Sequence, residues 1–271
     1  MDLNKQKNAL EWQIGIWDQI SGLYLSETER RFVPVVEKII NRAGLKAGER
    51  VLDLGTGTGA VAIKAAQQVG SNGYVTGMDI SSEMLNLAKE RLANAPINHI
   101  GFCEGRAESI PAADSNFDVV LASLSLMYVI DRETAAKEIA RVLRPGGRLA
   151  AAVWAAPEKC DIVLFQQTAG SFAPKPPAPN VGPGALADPG LFLEQLANAG
   201  ITAEVETEEL GFEFDHFDLA WEVLAGVTTA NLDPNQREEA KRAVRDLMWP
   251  QADQARHFRN VTNFIVGRLK T

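Results

Sequence analysis

The segment VLDLGTGTG at residues 51–59 decides the fold of this chain. Its first four residues are mostly apolar, as expected of a strand that is buried on both faces. Gly55, Gly57 and Gly59 let the backbone turn sharply and let a ligand approach without a Cβ in the way. With Ala60, the glycines also satisfy a loose G-x-G-x-x-A dinucleotide fingerprint. The segment therefore predicts a strand, a nucleotide-binding turn and a helix, and it leaves the nucleotide open.

Outward from this segment, residues 50–154 alternate short apolar runs with helical patterns. Such alternation predicts βαβ units on a parallel sheet with helices on both faces. Ser81 or Ser82 is the predicted cap of the helix after the second strand, Asp131 caps the helix before the fifth strand, and Pro234 begins a later helix. The predicted strands are Val51–Leu54, Tyr74–Met78, Ile100–Cys103, Phe117–Ala122, Leu149–Trp154, Thr202–Glu208 and Phe264–Val266. The fold class is α/β, with a seven-stranded doubly wound sheet.

Two carboxylates indicate which nucleotide binds. Asp53 stands two positions before the first glycine, where a strand that lies beneath a pyrophosphate is usually apolar. A carboxylate there would repel phosphate and attract the α-ammonium of an amino acid, directly or through water. S-adenosylmethionine has that ammonium and no phosphate. Asp79 ends the second strand and can accept hydrogen bonds from both ribose hydroxyls, which suits NAD equally well.

The composition narrows the class of partner. The chain has 271 residues, a net charge of −8 and a sequence pI near 5.1, so nucleic acid and anionic lipid are disfavoured. Cys103 and Cys160 are far apart, and the three histidines show no ligand spacing, so neither a disulfide nor a metal site is expected. The sequence shows no signal peptide and no run of ~18 apolar residues that would span a membrane. We therefore expect a cytoplasmic protein.

The chain falls into three predicted parts. These are N-terminal helices that cover the active site (1–45), a nucleotide-binding core (46–154) and a C-terminal part that completes the sheet (155–271). Cap segments are predicted at about 155–186 and 211–258, and the first contains the proline- and glycine-rich stretch FAPKPPAPNVGPG at 172–184. The caps, rather than the core, are expected to select the reacting small molecule.

Four blocks resemble class I S-adenosylmethionine-dependent methyltransferases, and among them the ubiquinone and menaquinone C-methyltransferase branch. The blocks are VLDLGTGTG at 51–59, VTGMDIS at 75–81, GRAESIPAADSNFDVVLASLSLMYV at 105–129 and EIARVLRPGGRL at 138–149. Their order and spacing follow the family over about the first 154 residues. The resemblance implies a Rossmann-like fold with helical cap insertions.

The resemblance also implies the cofactor-binding residues. Gly55, Thr56 and Gly57 would line the methionine and sugar, Asp79 would hold the ribose, and Ile80 and Met84 would pack on adenine. The family usually has Asp or Asn before Ala107 to cap the adenine amino group, but this chain has Arg106, which cannot accept a hydrogen bond. Glu108, a backbone carbonyl or water would then replace it. The predicted set is Asp53, Gly55, Thr56, Gly57, Asp79, Ile80, Met84, Arg106, Ala107, Glu108 and Ser123.

Catalytic residues are harder to assign. Many relatives carry a histidine pair where this chain has Met127 and Tyr128, which removes the obvious imidazole base. Tyr128 can still orient an acceptor through its hydroxyl. Tyr24, from an aromatic N-terminal helix, and His216, beside the second cap, are further candidates, although a lone histidine is more often structural.

The expected activity is methyl transfer to a small-molecule acceptor by in-line displacement, with S-adenosylhomocysteine as the product. Because the donor is already activated, alignment and exclusion of water are the main tasks of the protein. A quinone-like, aromatic or natural-product acceptor suits the aromatic caps. Two alternatives stay open: an NAD(P)-dependent oxidoreductase, and a protein that binds S-adenosylmethionine without methylating. The sequence leaves the oligomeric state open.

Overall fold

Strands and helices alternate through the computed structural model, which describes residues 3–93, 95–251 and 253–271. The strands are β1 (Arg50–Leu54), β2 (Tyr74–Asp79), β3 (Ile100–Glu104), β4 (Phe117–Ser123), β5 (Leu143–Trp154), β6 (Ile201–Phe214) and β7 (Arg256–Leu269). The helices are α1 (Leu3–Leu23), α2 (Glu29–Ala43), α3 (Ala60–Val69), α4 (Ser82–Ala93), α5 (Arg132–Val142), α6 (Asp161–Gly170), α7 (Gly190–Asn198), α8 (Phe217–Leu224), α9 (Gly226–Thr229) and α10 (Pro234–Met248). Met1 and Asp2 of the predicted N-terminal part, and Ala252 of the predicted second cap, lie outside the described residues.

The strands form one seven-stranded sheet in the order β3-β2-β1-β4-β5-β7-β6. Strands β1 to β5 are parallel to one another, and β7 is antiparallel to both β5 and β6. The order reverses between β1 and β4, where the crevice at the carboxyl ends of an open α/β sheet binds ligands. The predicted doubly wound sheet is therefore confirmed, and a ligand site is expected at its switch point.

Apolar residues hold the central strands in place. Val51 and Leu52 of β1, like Val119, Val120 and Leu121 of β4, are essentially inaccessible to solvent. Helices cover both faces of these strands, so side chains that point to either face are buried. For this reason the two strands are continuous apolar runs instead of alternating apolar and polar residues.

Three predicted helix starts are confirmed by their caps. Ser81 Oγ accepts a hydrogen bond of 3.1 Å from Met84 N at the start of α4. Asp131 Oδ1 accepts one of 3.0 Å from Thr134 N at the start of α5. Pro234 is the first residue of α10 and follows a capping box at Asp233. Side-chain oxygens thus satisfy backbone N–H groups that the helices leave free.

The C-terminal strands are longer than predicted. Both β6 and β7 have 14 residues and pair along their whole length, from Ile201 with Leu269 to Phe214 with Arg256. The predicted second cap at 211–258 is therefore too wide at both ends, since residues 211–214 and 256–258 belong to the sheet. The predicted fifth strand is also too short, because β5 already begins at Leu143. The covered positions of β6 change from one face to the other between Val205 and Leu210, so no single in–out alternation runs along the whole strand.

Helices α1 and α2 are joined by a π-helical turn, Tyr24–Thr28. The apolar face of α2, with Val35, Ile39 and Ile40, is buried against the sheet. Helix α1 continues past the sheet and packs on α4 and α9. Single π turns within helices are uncommon and often occur at functional sites.

Candidate functional site

A cleft of about 1300 Å³, measured out to its opening to solvent, lies at the carboxyl ends of β1, β2 and β4. One side of the cleft consists of the glycine loop and the segments after β2 and β3. It contains most of the residues predicted to bind S-adenosylmethionine, the methyl donor, and is called the donor side below. The other side of the cleft is formed by α1, the π turn, the loop after β4 and parts of α6, α8 and α9. Of the predicted residues, Gly55, Gly57, Asp79, Ile80, Met84, Arg106, Ala107, Glu108, Ser123, Tyr24 and Tyr128 line the cleft.

The glycine loop is tied to the end of β2. Gly55 N and Thr56 N both donate to Met78 O, at 2.8 and 3.0 Å. Gly55 has a φ of +74°, and a Cβ there would lie 2.4 Å from the Cβ of Ser125. A side chain at this position would therefore clash and also favour a different backbone conformation. Gly57 has a φ of +53° and open space around it, so its missing Cβ leaves room on the cleft side of the loop.

Asp53 lies behind the loop rather than on the wall of the cleft. Its side chain is 1% exposed, and Oδ2 accepts a hydrogen bond of 2.6 Å from Thr56 Oγ1, while Oδ1 has no partner among the described residues. Burial, with a smaller contribution from the nearby Asp79, raises the pKa of Asp53 to about 7 against the opposing effects of the Thr56 hydroxyl and the backbone of Ala62. Neither Asp53 nor Thr56 lines the cleft in this structure, which favours the water-mediated form of the predicted Asp53 contact. The ligand contacts of both residues stay predictions.

Asp79 lines the cleft and is held by two backbone donors. Oδ2 accepts from Gly57 N at 2.8 Å, and Oδ1 accepts from Ser81 N at 3.0 Å. Burial raises the pKa of Asp79, against the effect of these hydrogen bonds. A carboxylate has about four acceptor sites, so two remain for the hydroxyls of a ribose.

The opposite end of the donor side contains Ile80, Met84, Arg106, Ala107 and Glu108. Met84 and Ala107 are buried, whereas Arg106 is exposed. Glu108 Oε1 already accepts two backbone hydrogen bonds, from the N–H groups of residues 130 and 131, both at 3.2 Å. That side chain therefore fixes the loop after β4. Its predicted contact with an adenine amino group stays a prediction.

Helix α1 is fastened over the cleft by residues that the sequence reasoning missed. Ser81 Oγ donates to Asp18 Oδ1 at 2.6 Å, and Gln13 Nε2 donates to the Tyr128 carbonyl at 2.8 Å. At the start of α2, Glu29 accepts hydrogen bonds from Thr58 Oγ1 and from Arg91, the latter at 2.7 Å. These hydrogen bonds cannot be predicted from a local sequence pattern, because the two partners of each bond lie far apart in the sequence.

Aromatic side chains dominate the other side of the cleft. The ring of Trp17 meets the rings of Tyr24 and Tyr128 edge to face, with centroids 6.4 and 4.9 Å apart. Phe32 similarly meets Trp154, with centroids 5.5 Å apart. Ring contacts of this kind add stability beyond burial and give a rigid, mostly apolar wall.

Of the three catalytic candidates, two come together and one does not. Tyr24 and Tyr128 both line the cleft. His216 is exposed at the N-terminus of α8, where Nδ1 accepts a hydrogen bond of 3.3 Å from Leu219 N, and it does not line the cleft. The structure therefore does not bring His216 to the other two candidates, and its side chain is the cap of α8. Among the described residues that line the cleft, none is His, Cys or Lys.

Neither a metal cluster nor a spanning helix is found in the described part of the chain. Within residues 3–93, 95–251 and 253–271, no group of three or more His, Cys, Asp or Glu is placed to hold a metal ion. In the same residues no helix is both long and apolar enough to cross a membrane.

Comparisons with known proteins now connect this geometry to a family. Residues 45–175 match the model of a family described as a methyltransferase domain. A ubiquinone/menaquinone biosynthesis C-methyltransferase, UbiE, of Francisella tularensis subsp. novicida (strain U112) is 41% identical over 114 residues, which is 42% of this chain and 46% of the relative. The matched part thus spans less than half the length of that relative.

Solved structures extend the likeness to most of the chain. The YcgJ protein of Bacillus subtilis has a TM-score of 0.65 and 21% identity, and the match covers 87% of this chain and 98% of that one. Phosphoethanolamine N-methyltransferase 2 of Haemonchus contortus, in complex with S-adenosyl-L-methionine, has a TM-score of 0.59 and 19% identity, over 94% of this chain and 57% of that one. The comparisons confirm the resemblance to class I S-adenosylmethionine-dependent methyltransferases and their Rossmann-like fold.

Proposed function

We propose that this chain transfers a methyl group from S-adenosylmethionine to a small-molecule acceptor in the cleft and leaves S-adenosylhomocysteine. One observation carries the proposal: the buried carboxyl group of Asp53 and the half-buried one of Asp79 flank the glycine loop at the switch point of the sheet. Asp53, when ionised, disfavours the pyrophosphate of NAD(P) beside the loop and favours an ammonium group and a positive sulfur. Asp79 offers acceptor sites to a ribose.

The residues present fit such a donor. Asp53 Oδ1 is buried without a hydrogen-bond partner among the described residues, and burial raises the pKa of this carboxyl group to about 7, so a cation close by would stabilise its ionised form. An ammonium on the far side of the loop can do so through the field of the carboxylate or through water. The open space at Gly57 accommodates a ligand against the backbone. Asp79 keeps free acceptor sites for a ribose, and Ile80 and Met84 provide an apolar surface for adenine.

The donor, when bound, supplies an activated methyl group. The task of the protein is then to place the nucleophile of the acceptor in line with the breaking carbon–sulfur bond and to exclude water. Helix α1 covers the cleft through Asp18 and Gln13, and the ring of Trp17 lies beneath it. We assign acceptor selection to this N-terminal segment and to the caps, whose aromatic wall suits a quinone-like, aromatic or natural-product acceptor.

Calorimetric titration with S-adenosylmethionine, S-adenosylhomocysteine and NAD tests the donor. We expect both sulfur nucleotides to bind, NAD not to bind, and the affinity to fall at least tenfold in Asp53→Ala and Asp79→Ala, since hydrogen bonds to charged groups contribute about 1.5–3 kcal/mol. Asp246→Ala is the matched control, because it removes an equal charge from the exposed face of α10. Binding of NAD alone, or of none of the three, would overturn the proposal.

A methyl-labelled donor then separates an enzyme from a protein that only binds the nucleotide. The labelled donor is incubated with the protein and a panel of quinols, phenols and amines. Transfer of label to an acceptor supports the enzyme, whereas donor binding without transfer to any of them supports a non-methylating role.

A further inference from the structure

Asp53 is a buried carboxyl group without a counter-ion in the described part of the chain. Its side chain is 1% exposed, Oδ2 accepts a hydrogen bond of 2.6 Å from Thr56 Oγ1, and Oδ1 has no hydrogen-bond partner there. The described groups that shift its pKa include no cation. Because an unpaired carboxylate is strongly disfavoured in the interior, the ligand-free protein holds this group mostly as the neutral acid below neutral pH.

The titratable groups that interact with Asp53 add no positive charge. Asp79, at the end of the neighbouring strand β2, is a second acid and raises the pKa of Asp53. Burial raises the pKa of Tyr24, in the π turn, above its usual range, so this phenol is neutral. On the other neighbouring strand, β4, the residue that pairs with Asp53 is the apolar Leu121.

Cations on the surrounding helices have other partners or are exposed. Lys64, the charged residue of α3, lies 2.9 Å from a carboxylate oxygen of Glu37 on α2. Arg91 on α4 lies 2.7 Å from Glu29 at the start of α2, and Lys89 on α4 is exposed. The missing positive charge must therefore come from a ligand.

We propose that Asp53 exchanges its own proton for the α-ammonium of the nucleotide: the acid is neutral in the ligand-free protein, becomes a carboxylate when the nucleotide binds, and loses its proton to the solvent. The inference rests on the proposed function and names the residue that makes the donor site selective for an ammonium. The charge acts across the glycine loop, where Gly57 leaves open space. Only the O–H bond of Asp53 breaks, so at most one proton leaves from it for each nucleotide bound.

The direction of the pH dependence follows from this exchange. The pKa of Asp53 is about 7 without ligand, and a cation close by lowers the pKa in the complex. The complex then holds fewer protons than the ligand-free protein, so the affinity rises with pH up to about 7 and levels off above it. At pH 6.5 about three quarters of the Asp53 groups are still protonated in the absence of ligand.

Calorimetric titration with S-adenosylhomocysteine at pH 6.5 counts the protons without turnover. The titration is repeated in PIPES and in bis-Tris, whose enthalpies of ionisation differ, and the difference in the observed heat gives the number of protons released. An α-ammonium is almost fully charged at this pH, so the ligand itself contributes little. We expect the wild type to release about half a proton or more, and its affinity to rise about tenfold between pH 5 and pH 7.

Asp53→Asn should release no proton and bind S-adenosylhomocysteine equally well at both pH values, with an affinity near that of the wild type at pH 5, because the amide resembles the neutral acid. Asp246→Asn, which removes an exposed carboxylate from α10, is the matched control and should behave as the wild type. A second probe, 5′-methylthioadenosine, keeps the adenosine and lacks the amino acid. It should release no proton from the wild type, and this comparison needs no variant that folds.

Three results would overturn the inference. The first is that the wild type binds S-adenosylhomocysteine and releases no proton. The second is that Asp53→Asn releases as many protons as the wild type, which would assign them to another group such as Asp79. The third is that 5′-methylthioadenosine releases as many protons as S-adenosylhomocysteine, since the ammonium would then play no part. A wild type that binds neither S-adenosylmethionine nor S-adenosylhomocysteine would instead overturn the proposed function.

Discussion

The backbone N–H of Gly57 donates to Oδ2 of Asp79 at 2.8 Å. This bond joins the glycine loop of β1 to the end of the neighbouring strand and so connects the two parts of the donor side. The same carboxylate accepts a second hydrogen bond from Ser81 N, and Ser81 Oγ donates a hydrogen bond to Asp18 on α1. A continuous hydrogen-bonded path thus runs from the loop to the helix that covers the cleft.

Gly57→Ala should weaken donor binding far more than it weakens the fold. The φ of +53° costs an alanine about 1–2 kcal/mol, but the surrounding space is free of protein atoms within 4 Å. The new methyl group would therefore occupy ligand space, and we expect at least a tenfold loss of S-adenosylhomocysteine affinity by calorimetry.

Gly44→Ala is the control for that strain. Gly44 has a φ of +55°, also has nothing within 4 Å, and ends α2 away from the cleft. It should lower the melting temperature as much as Gly57→Ala does, by about 2–4 °C per kcal/mol, and leave the affinity unchanged. Equal affinities of the two variants would contradict a ligand at Gly57.

Asp53→Asn should change how stability depends on pH. The pKa of Asp53 is raised to about 7 in the folded chain, against about 3.9 for an unperturbed Asp. The folded state thus holds this proton more tightly, and the contribution of Asp53 to stability is complete below pH ~4 and is lost as the pH rises through 7. The amide that replaces the carboxyl group in the variant does not titrate.

The measurement is urea unfolding of the wild type and Asp53→Asn at pH 5 and pH 8 without ligand. We expect the free energy of unfolding of the wild type, relative to the variant, to fall by more than about 1 kcal/mol between the two pH values. A constant difference would mean that Asp53 is ionised throughout.

Removal of the Asp18 carboxylate should speed the release of the donor. Asp18→Ala and Ser81→Ala both break the 2.6 Å bond between α1 and the loop after β2. We expect the dissociation rate of S-adenosylhomocysteine to rise up to about tenfold in each, which corresponds to about 1.4 kcal/mol. Stopped-flow fluorescence of the tryptophans measures it, since Trp17 lines the cleft.

Stability separates the two variants, because Ser81 Oγ also caps α4 through Met84 N. Only Ser81→Ala should lose about 1 kcal/mol of stability. Glu11→Ala, which removes an exposed carboxylate from the same helix α1, is the matched control and should release the donor at the wild-type rate. If Glu11→Ala released the donor as fast as Asp18→Ala, the general charge of α1 would be responsible rather than this contact.

His216→Ala should leave donor binding and methyl transfer unchanged. The side chain caps α8 at an exposed position, so its loss should cost at most about 1 kcal/mol of stability. His216→Asn, which restores a good cap, should recover the melting temperature. A loss of transfer in a variant that still binds S-adenosylhomocysteine would return His216 to the candidate bases.

The core of the fold follows from local patterns. The runs around Val51 and Val119 are apolar because both faces of a parallel strand are buried, and Ser81 and Asp131 precede helices because their oxygens satisfy free N–H groups. The far end of β6 escaped prediction because the covered face of the strand changes along its length: Ala203 and Val205 are half-buried in its first half, but Leu210, Phe212 and Phe214 are covered in its second half. The rings of Phe212 and Phe214 pack there on Phe258 of β7. Length in those strands depends on tertiary contacts rather than on periodicity.

The sequence by itself determined the doubly wound sheet, the glycine loop and the positions of Asp53 and Asp79, since each depends on neighbours within a few residues. Only the tertiary structure decided that Asp53 lies behind the loop, that His216 is outside the cleft and that Tyr24 meets Tyr128 across Trp17. The contact between Gln13 and the Tyr128 carbonyl joins residues 115 positions apart. Such pairs depend on how α1 packs over the sheet, and no local periodicity encodes that packing.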